Sequence, residues 1–229
     1  MARRNPRSAA TPAAEDYLKN LYFLEEESAG PVTTNQVAER LAVAPASATN
    51  MLKRLASSGY VRHSPYRGVE LTDAGRREAL EVIRHHRLIE TYLAEALGVP
   101  WDKVHDEAEV LEHVLSEDLE ERIASRLGHP SRDPHGHPIP PRDLAVVARA
   151  SVRLDEMEPG ERGTVAEVSD RDPEVLRYLD RRGIRPGRGV EAVLIEPFGG
   201  SITVEVEGER HAVGPDAARA VRVARGVAR

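Results

Sequence analysis

The chain contains no cysteine among its 229 residues. That excludes disulfides, cysteine nucleophiles and thiolate metal ligands together, so any metal site must be built from His, Asp and Glu. No apolar run approaches the roughly 20 residues that a membrane span needs. The basic start Met1-Ala2-Arg3-Arg4-Asn5-Pro6-Arg7 leads into no apolar stretch of the secretory kind. A cytoplasmic protein with no membrane partner is the expectation. Positive charge is also in short supply: the formal net charge is −6, which argues against indiscriminate nucleic-acid binding. No internal repeat is visible.

What is present is ordinary core-forming material, 40% hydrophobic and 31% charged, arranged unevenly. Residues 76–142 hold fourteen Asp/Glu against nine Lys/Arg, and seven of the nine histidines. That segment has the composition of a cation site, whereas residues 1–10 and 47–67 lean basic and suit a polyanion. The reading divides the chain into a disordered basic tail (1–12), a winged helix-turn-helix domain (13–75) and a helical metal-binding and dimerisation domain (76–142). A linker (143–150) then leads to a small β-barrel (151–229). The fold class is mainly α with a small β part.

Periodicity supports this order. Residues 16–27 carry an apolar stripe of Leu18, Leu21, Tyr22 and Leu24 at helical spacing. Thr33 and Gln36 form a capping box opening a helix to residue 41, and Ala42-Val43-Ala44-Pro45 is a tight turn. A second helix covers 46–58. Residues 60–63 and 68–71 form a hairpin through Ser64-Pro65-Tyr66-Arg67. Long helices come next over 73–96 and 102–127, then a Pro/Gly-rich ordered loop or linker at 131–141. Beyond residue 150 the period falls to two: strands are expected at 151–154, 164–168, 190–195, 201–206 and 210–213, with a helix over 173–182.

Helix, short turn, helix and hairpin is the winged helix-turn-helix order, whose second helix enters the major groove. Ser47, Thr49 and Asn50 can exchange hydrogen bonds with base edges, and Ala46 and Ala48 can touch a thymine methyl. Lys53, Arg54, Arg62 and the hairpin-tip Arg67 fall where phosphates would lie. The bland alternative is a helical protein-interaction module.

His105, Glu109, Glu112 and His113 occupy i, i+4, i+7 and i+8 of one helix and share a face. His86 and Glu90 are one turn apart on the preceding helix. Together they offer three imidazoles and three carboxylates, a set suited to Mn²⁺, Fe²⁺, Co²⁺, Ni²⁺ or Zn²⁺. The bland alternative is a solvated acidic face; a metal-dependent enzyme and a metal-buffering protein are further readings.

The motifs Glu15-Asp16-Tyr17-Leu18, Val37-Ala38-Glu39-Arg40-Leu41, Leu71-Thr72-x-x-Gly75, His86-Arg87-Leu88, Val104-His105-Asp106-Glu107-Ala108, Glu112-His113-Val114 and Pro134-x-Gly136-x-Pro138-Ile139-Pro140 resemble, in order and spacing, those of the diphtheria toxin repressor family. That family comprises iron- and manganese-dependent repressors. Pro159-Gly160-Glu161-Arg162-Gly163 resembles the start of its SH3-like barrel. The resemblance implies a homodimer on a palindromic double-stranded operator, with metal binding that orders the first helix. It implies one site of Asp16, Glu109, Glu112 and His113. A neighbouring site takes His86, Glu90 and His105, completed by Glu167 and Asp170 of the barrel. Asp16 and Glu109 stand where iron-type members carry Met and Cys. The exchange of soft for hard donors favours Mn²⁺, with Fe²⁺ the alternative and Co²⁺, Ni²⁺, Zn²⁺ or Cd²⁺ as surrogates. Lys19 stands where manganese-type members carry a second acid.

Overall fold

The computed structural model describes residues 10–28, 30–64, 68–144 and 151–226. The chain forms two compact units. One runs to His85 and includes Pro140–Leu144; the other takes His86–Ile139 and the C-terminal part.

The first unit is built from helices α1 (Pro12–Glu27), α2 (Thr34–Arg40) and α3 (Pro45–Ser57), strands β1 (Val61–Ser64) and β2 (Gly68–Leu71), and the first turns of α4 (Asp73–Leu97). Helix α1 begins four residues earlier than its apolar stripe suggests. Thr11 caps it, accepting from the Ala14 N–H, and Pro12 takes the first helical position, where its missing N–H costs nothing. Residues 10–12 are therefore part of the fold rather than of a tail, while residues 1–9 lie outside the described residues. The capping box of Thr33 and Gln36 is present with both of its bonds. Leu18, Leu21, Val37, Ala48 and Leu52 are fully buried in the core of this unit. The hairpin pairs Val61 with Leu71 and Ser64 with Gly68. Glu25 fastens α1 to the hairpin and to the start of α4: its carboxylate accepts the Leu71 N–H at 2.6 Å and the Arg76 guanidinium at 2.5 Å. Gly75 packs so tightly that a Cβ there would lie 2.0 Å from the Tyr60 carbonyl oxygen.

The second unit has a helical half and a β half. The remainder of α4 packs with α5 (Val104–Leu111) and α6 (Glu117–Arg126) around Leu88, Ile89, Val104, Ala108 and Ile123. The single helix expected over 102–127 is in fact these two. Ser116 is a strong N-cap, accepting from the Leu119 N–H, and its extended backbone ends one helix and starts the next. The residues between them let Glu112 and Leu115 both turn inward.

The β half is a six-stranded antiparallel sheet in the order β3-β8-β4-β5-β6-β7. Its strands are β3 (Val152–Arg153), β4 (Arg162–Val168), β5 (Gly189–Ile195), β6 (Ile202–Val206), β7 (Glu209–Val213) and β8 (Val221–Arg225), joined by helices α7 (Pro173–Asp180) and α8 (Pro215–Arg219). Sequence periodicity did not reveal α8 and β8, although β8 lies between β3 and β4. In β8 only Val221 and Val223 alternate inward, a signal too short for periodicity. Sheet and helices of this unit meet at Trp101 and Asp102: Arg185 lies over the Trp101 ring at 5.1 Å and Arg177 pairs with Asp102 at 3.0 Å. Among the described residues no helix is long and apolar enough to cross a membrane.

Candidate functional site

In α3 the inward positions are Ala48, Leu52 and Leu55. The outward ones are Ala46, Ser47, Asn50, Lys53 and Arg54, all exposed. Ala48 was expected to touch bases; it is core instead, because it shares the inward stripe with Leu52 one turn later. The Thr49 hydroxyl donates to the Pro45 carbonyl at 2.8 Å, so its hydrogen is already used within the helix. On the wing, Arg62 pairs across the strands with Glu70 at 3.4 Å, both exposed. Arg67 lies outside the described residues. The exposed face of α3 thus carries amide, hydroxyl and cationic groups on a rigid helix, the chemistry that reads base edges and phosphates.

The His and carboxylate set belongs to the second unit, apart from Asp16, which is half-buried on α1 of the first. Helix α4 presents His86 and, one turn on, Glu90, which is fully buried. Helix α5 presents His105 and Glu109; Glu112 and His113 lie just beyond its last turn. Asp170 comes from the loop after β4. His86 stands at the centre. Its Nδ1 donates to Glu112 at 2.5 Å and lies 3.8 Å from Glu109. Its Nε2 lies 3.1 Å from Glu90 Oε1 and 3.1 Å from His105 Nδ1. His105 Nδ1 is in turn 3.4 Å from Glu90 and 3.6 Å from Asp170, and its Nε2 is 3.7 Å from Glu109. His113 lies 3.5 Å from Glu112.

These separations fit a metal. Bonds of about 2.0–2.2 Å from a divalent ion to imidazole and carboxylate donors place neighbouring donors roughly 3–3.5 Å apart, as His86, His105 and Glu90 are. The donor atoms of His86, Glu90, His105 and Asp170 lie within 4.8 Å of one another, as do those of His86, Glu109 and Glu112. His86 is common to both groups, so the two ligand sets that the resemblance implied adjoin at one imidazole. Glu167, the other barrel residue expected here, is buried on β4 with its Oε1 3.9 Å from Arg132.

Electrostatics agrees. Burial alone would lower the His86 pKa, but the Glu90 charge and the hydrogen bonds to Glu112 and Glu90 raise it to about 10. Burial opposes ionisation of Glu90, yet His86, His105 and His135 hold its pKa well below the usual carboxylate range. His105 is likewise raised, against burial, by Glu90 and Asp170. Asp170 is lowered, again against burial, chiefly by His137. Protons on imidazoles balance the buried carboxylates here, and a cation can take their place only by displacing them.

Residues 131–141, expected as loop or linker, hold three donors that sequence reasoning missed: Asp133, His135 and His137, whose donor atoms also lie within 4.8 Å of one another. His135 is fully buried and Asp133 nearly so. An Asp followed by His-x-His inside a Pro/Gly loop was the available signal.

Comparison with known proteins matches this architecture part by part. Residues 10–69 fit the model of the iron dependent repressor N-terminal DNA binding domain. Residues 72–141 fit that of the iron dependent repressor metal binding and dimerisation domain, and 152–225 that of the FeoA domain. The iron-dependent repressor IdeR of Mycobacterium tuberculosis is 35% identical over 91% of this chain and 95% of its own length. The diphtheria toxin repressor of Corynebacterium efficiens is 34% identical over 91% and 94%. Among solved structures, a manganese-dependent transcriptional repressor in complex with manganese is 43% identical, with a TM-score of 0.87 over 92% of this chain and 98% of that one. Fold, site chemistry and these relatives together place the chain in the diphtheria toxin repressor family of iron- and manganese-dependent repressors, which are metal-dependent DNA-binding transcription regulators rather than enzymes.

Proposed function

We propose that this protein is a manganese-activated repressor of metal-homeostasis genes that acts in the cytoplasm as a homodimer on a palindromic operator. The observation that carries the metal choice is the donor set. Glu109 offers a carboxylate 3.7 Å from His105 and 3.8 Å from His86, and the chain has no thiol anywhere. Manganese lies at the weak end of the divalent series and depends most on oxygen donors. The 43% identical neighbour is itself described in complex with manganese. Iron is the second reading, because IdeR, at 35% identity, is described as iron-dependent.

In this reading Asp16, Glu109, Glu112 and His113 hold the regulatory ion, and His86, Glu90, His105 and Asp170 hold a neighbouring one, with Glu167 behind them. A bound cation supplies positive charge among carboxylates that otherwise repel. As the family resemblance implies, metal binding orders α1, the helix that carries Asp16. Dimerisation would use the exposed apolar side chains Val110, Leu111, Val114 and Leu119, which are 71, 40, 64 and 48% exposed in the single chain. Ser47, Thr49 and Asn50, with Ala46 beside them, read base edges, and Lys53, Arg54, Arg62 and Arg67 hold phosphates.

The test is an anaerobic titration of operator DNA binding, read by fluorescence anisotropy, with Mn²⁺ and Fe²⁺ in turn. The double variant Asp16→Met, Glu109→Cys exchanges two hard donors for soft ones. It should lose most of the Mn²⁺ response and keep that to Fe²⁺; an unchanged Mn²⁺-to-Fe²⁺ ratio would refute the assignment.

A further inference from the structure

The corner between α4 and α5 faces two ways. Val99 and Val104 pack into the helical core of this unit. Trp101, the only tryptophan in the chain, packs instead against the core of the β half. Arg185, in the loop between α7 and β5, lies over the Trp101 ring at 5.1 Å, a cation–π contact. Its Nε is turned to Asp180, which fixes the guanidinium. One residue on from Trp101, Asp102 accepts from Arg177 of α7 at 3.0 Å. The Asp102 side chain is only 11% exposed, so this is not a surface pair of the kind that contributes little. Removing the arginine would leave a largely buried carboxylate uncompensated.

The same corner steadies residues of the metal centre. The Trp101 carbonyl accepts from His135 Nε2 at 2.7 Å, and the two rings stack with centroids 5.6 Å apart. Loop 131–141 is tied in turn to β4. The His135 carbonyl accepts the Val168 N–H at 2.9 Å. Gly136, at φ +86°, lies where a Cβ would meet the Ala166 carbonyl oxygen at 2.0 Å. Asp170 falls between the end of β4 at Val168 and the start of α7 at Pro173, and its Oδ2 is 3.6 Å from His105 Nδ1. Holding α7 on Asp102 and β4 on the loop therefore fixes Asp170 from both of its ends. The contacts of Trp101, Arg185, Arg177 and the Val168 N–H use no donor atom of the metal set.

We propose that Trp101 and Asp102 form a seat onto which the β half locks independently of any metal, and that Arg177 and Arg185 are positioning residues that hold Asp170 against His105 before an ion arrives. This rests on the metal-regulated reading above and adds a preorganised β half to it. A donor already in place costs an incoming ion no ordering. A β half that left its seat would have to be docked by the ion, and the apparent affinity would fall in proportion to the docked fraction.

The test uses the full chain and metal alone, without DNA. Trp101 is its own reporter: acrylamide quenching of its fluorescence measures whether the seat is covered. In the wild type, quenching should be low without metal and unchanged by Zn²⁺. In the double variant Arg177→Ala, Arg185→Ala it should be high without metal and fall towards the wild-type value as Zn²⁺ is added. Mn²⁺ affinity, from equilibrium dialysis, should drop about 10-fold in this variant, as expected when roughly one molecule in ten is docked. Trp101→Phe keeps an aromatic ring on the seat and should retain the wild-type Mn²⁺ affinity, whereas Trp101→Ala should lose as much as the double variant. Wild-type quenching that drops on adding Zn²⁺ would overturn the proposal, because the ion would then do the docking. So would wild-type Mn²⁺ affinity in the double variant, whatever its melting temperature, since the arginines would then only hold structure. Both readouts are independent of operator binding: a seat that behaves as proposed in a protein whose DNA binding ignores metal would refute the regulatory reading and leave the seat standing.

Discussion

The face of α3 and the metal centre are opposite solutions to placing polar groups. On α3 the functional side chains are exposed and close together in sequence, and each needs only its own helix to be positioned. In the centre, Glu90 and Glu112 are essentially buried, and the donors come from α4, α5 and the loops after α5, α6 and β4, spanning residues 86–170. Exposed groups on one helix can be exchanged singly at little structural cost. Buried charges that balance one another cannot, because removing one leaves the rest uncompensated. The comparison predicts that substitutions in the centre act jointly and those on α3 singly.

The largest effect should come from His86→Ala. This imidazole touches Glu90, Glu112 and His105 and borders both ligand sets, so its loss should weaken metal-activated DNA binding by about 100-fold or more, as measured by Mn²⁺ titration on operator DNA. A loss no larger than that of His113→Ala, which removes a ligand of one set alone, would mean that the two sets are independent.

Protons give the next test. With His86 at about 10 and His135 at about 9, both rings are charged at neutral pH, and an ion that binds at His86 must displace its proton. Metal affinity should rise from mildly acidic to alkaline pH, by about one logarithmic unit per pH unit for each proton displaced. Calorimetry in two buffers of different ionisation enthalpy should detect the release. The stability of the metal-free fold has the opposite dependence. Because these pKa values are raised above the 6.5 of a free imidazole, the charge pairing that supports the metal-free fold is fully present below that pH. It is lost as pH climbs through about 9 and about 10. The melting-temperature gain on adding metal should therefore grow with pH; a gain that shrinks would contradict the assignment.

On α3 the expected effects are smaller and separable. Asn50→Ala should reduce discrimination between operator and random DNA by about 1–3 kcal/mol, and Lys53→Ala should weaken both alike and lower the salt slope by about one. Equal losses on both DNAs for Asn50→Ala would remove it from the base-reading face. Smallest of all, Thr33→Ala deletes one side of the capping box on α2 and should cost about 1 kcal/mol of stability in thermal unfolding, with metal affinity unchanged.

Legibility divided along the same line. The helix-turn-helix was readable because its signals are local: the Thr33 and Gln36 box, the apolar spacing of Leu52 and Leu55, and Gly59 after α3 with a left-handed φ of 80°. Even there, Ala48 showed the limit of reading a helix residue by residue, since only the packed core tells an inward alanine from an outward one. Six ligand candidates on α4 and around α5 were visible from helical spacing alone, and the family resemblance added Asp16, Glu167 and Asp170. The break between α5 and α6 was not visible, because a Ser at residue 116 looks the same inside a helix as at its cap until the chain turns there.

The sequence by itself determined the chemistry of this protein: an absence of sulfur donors other than methionine, an excess of imidazole and carboxylate in one segment, and a wing beside a basic helix. These come from composition and from periods of a few residues. Only the tertiary structure decided that His86 is shared, that Asp170 reaches the helices from the sheet while Glu167 faces Arg132, and that His135 and Glu90 face each other at 3.6 Å. Those relations join residues many helical turns or whole strands apart along the chain. Packing sets such distances; no local pattern in the sequence encodes them.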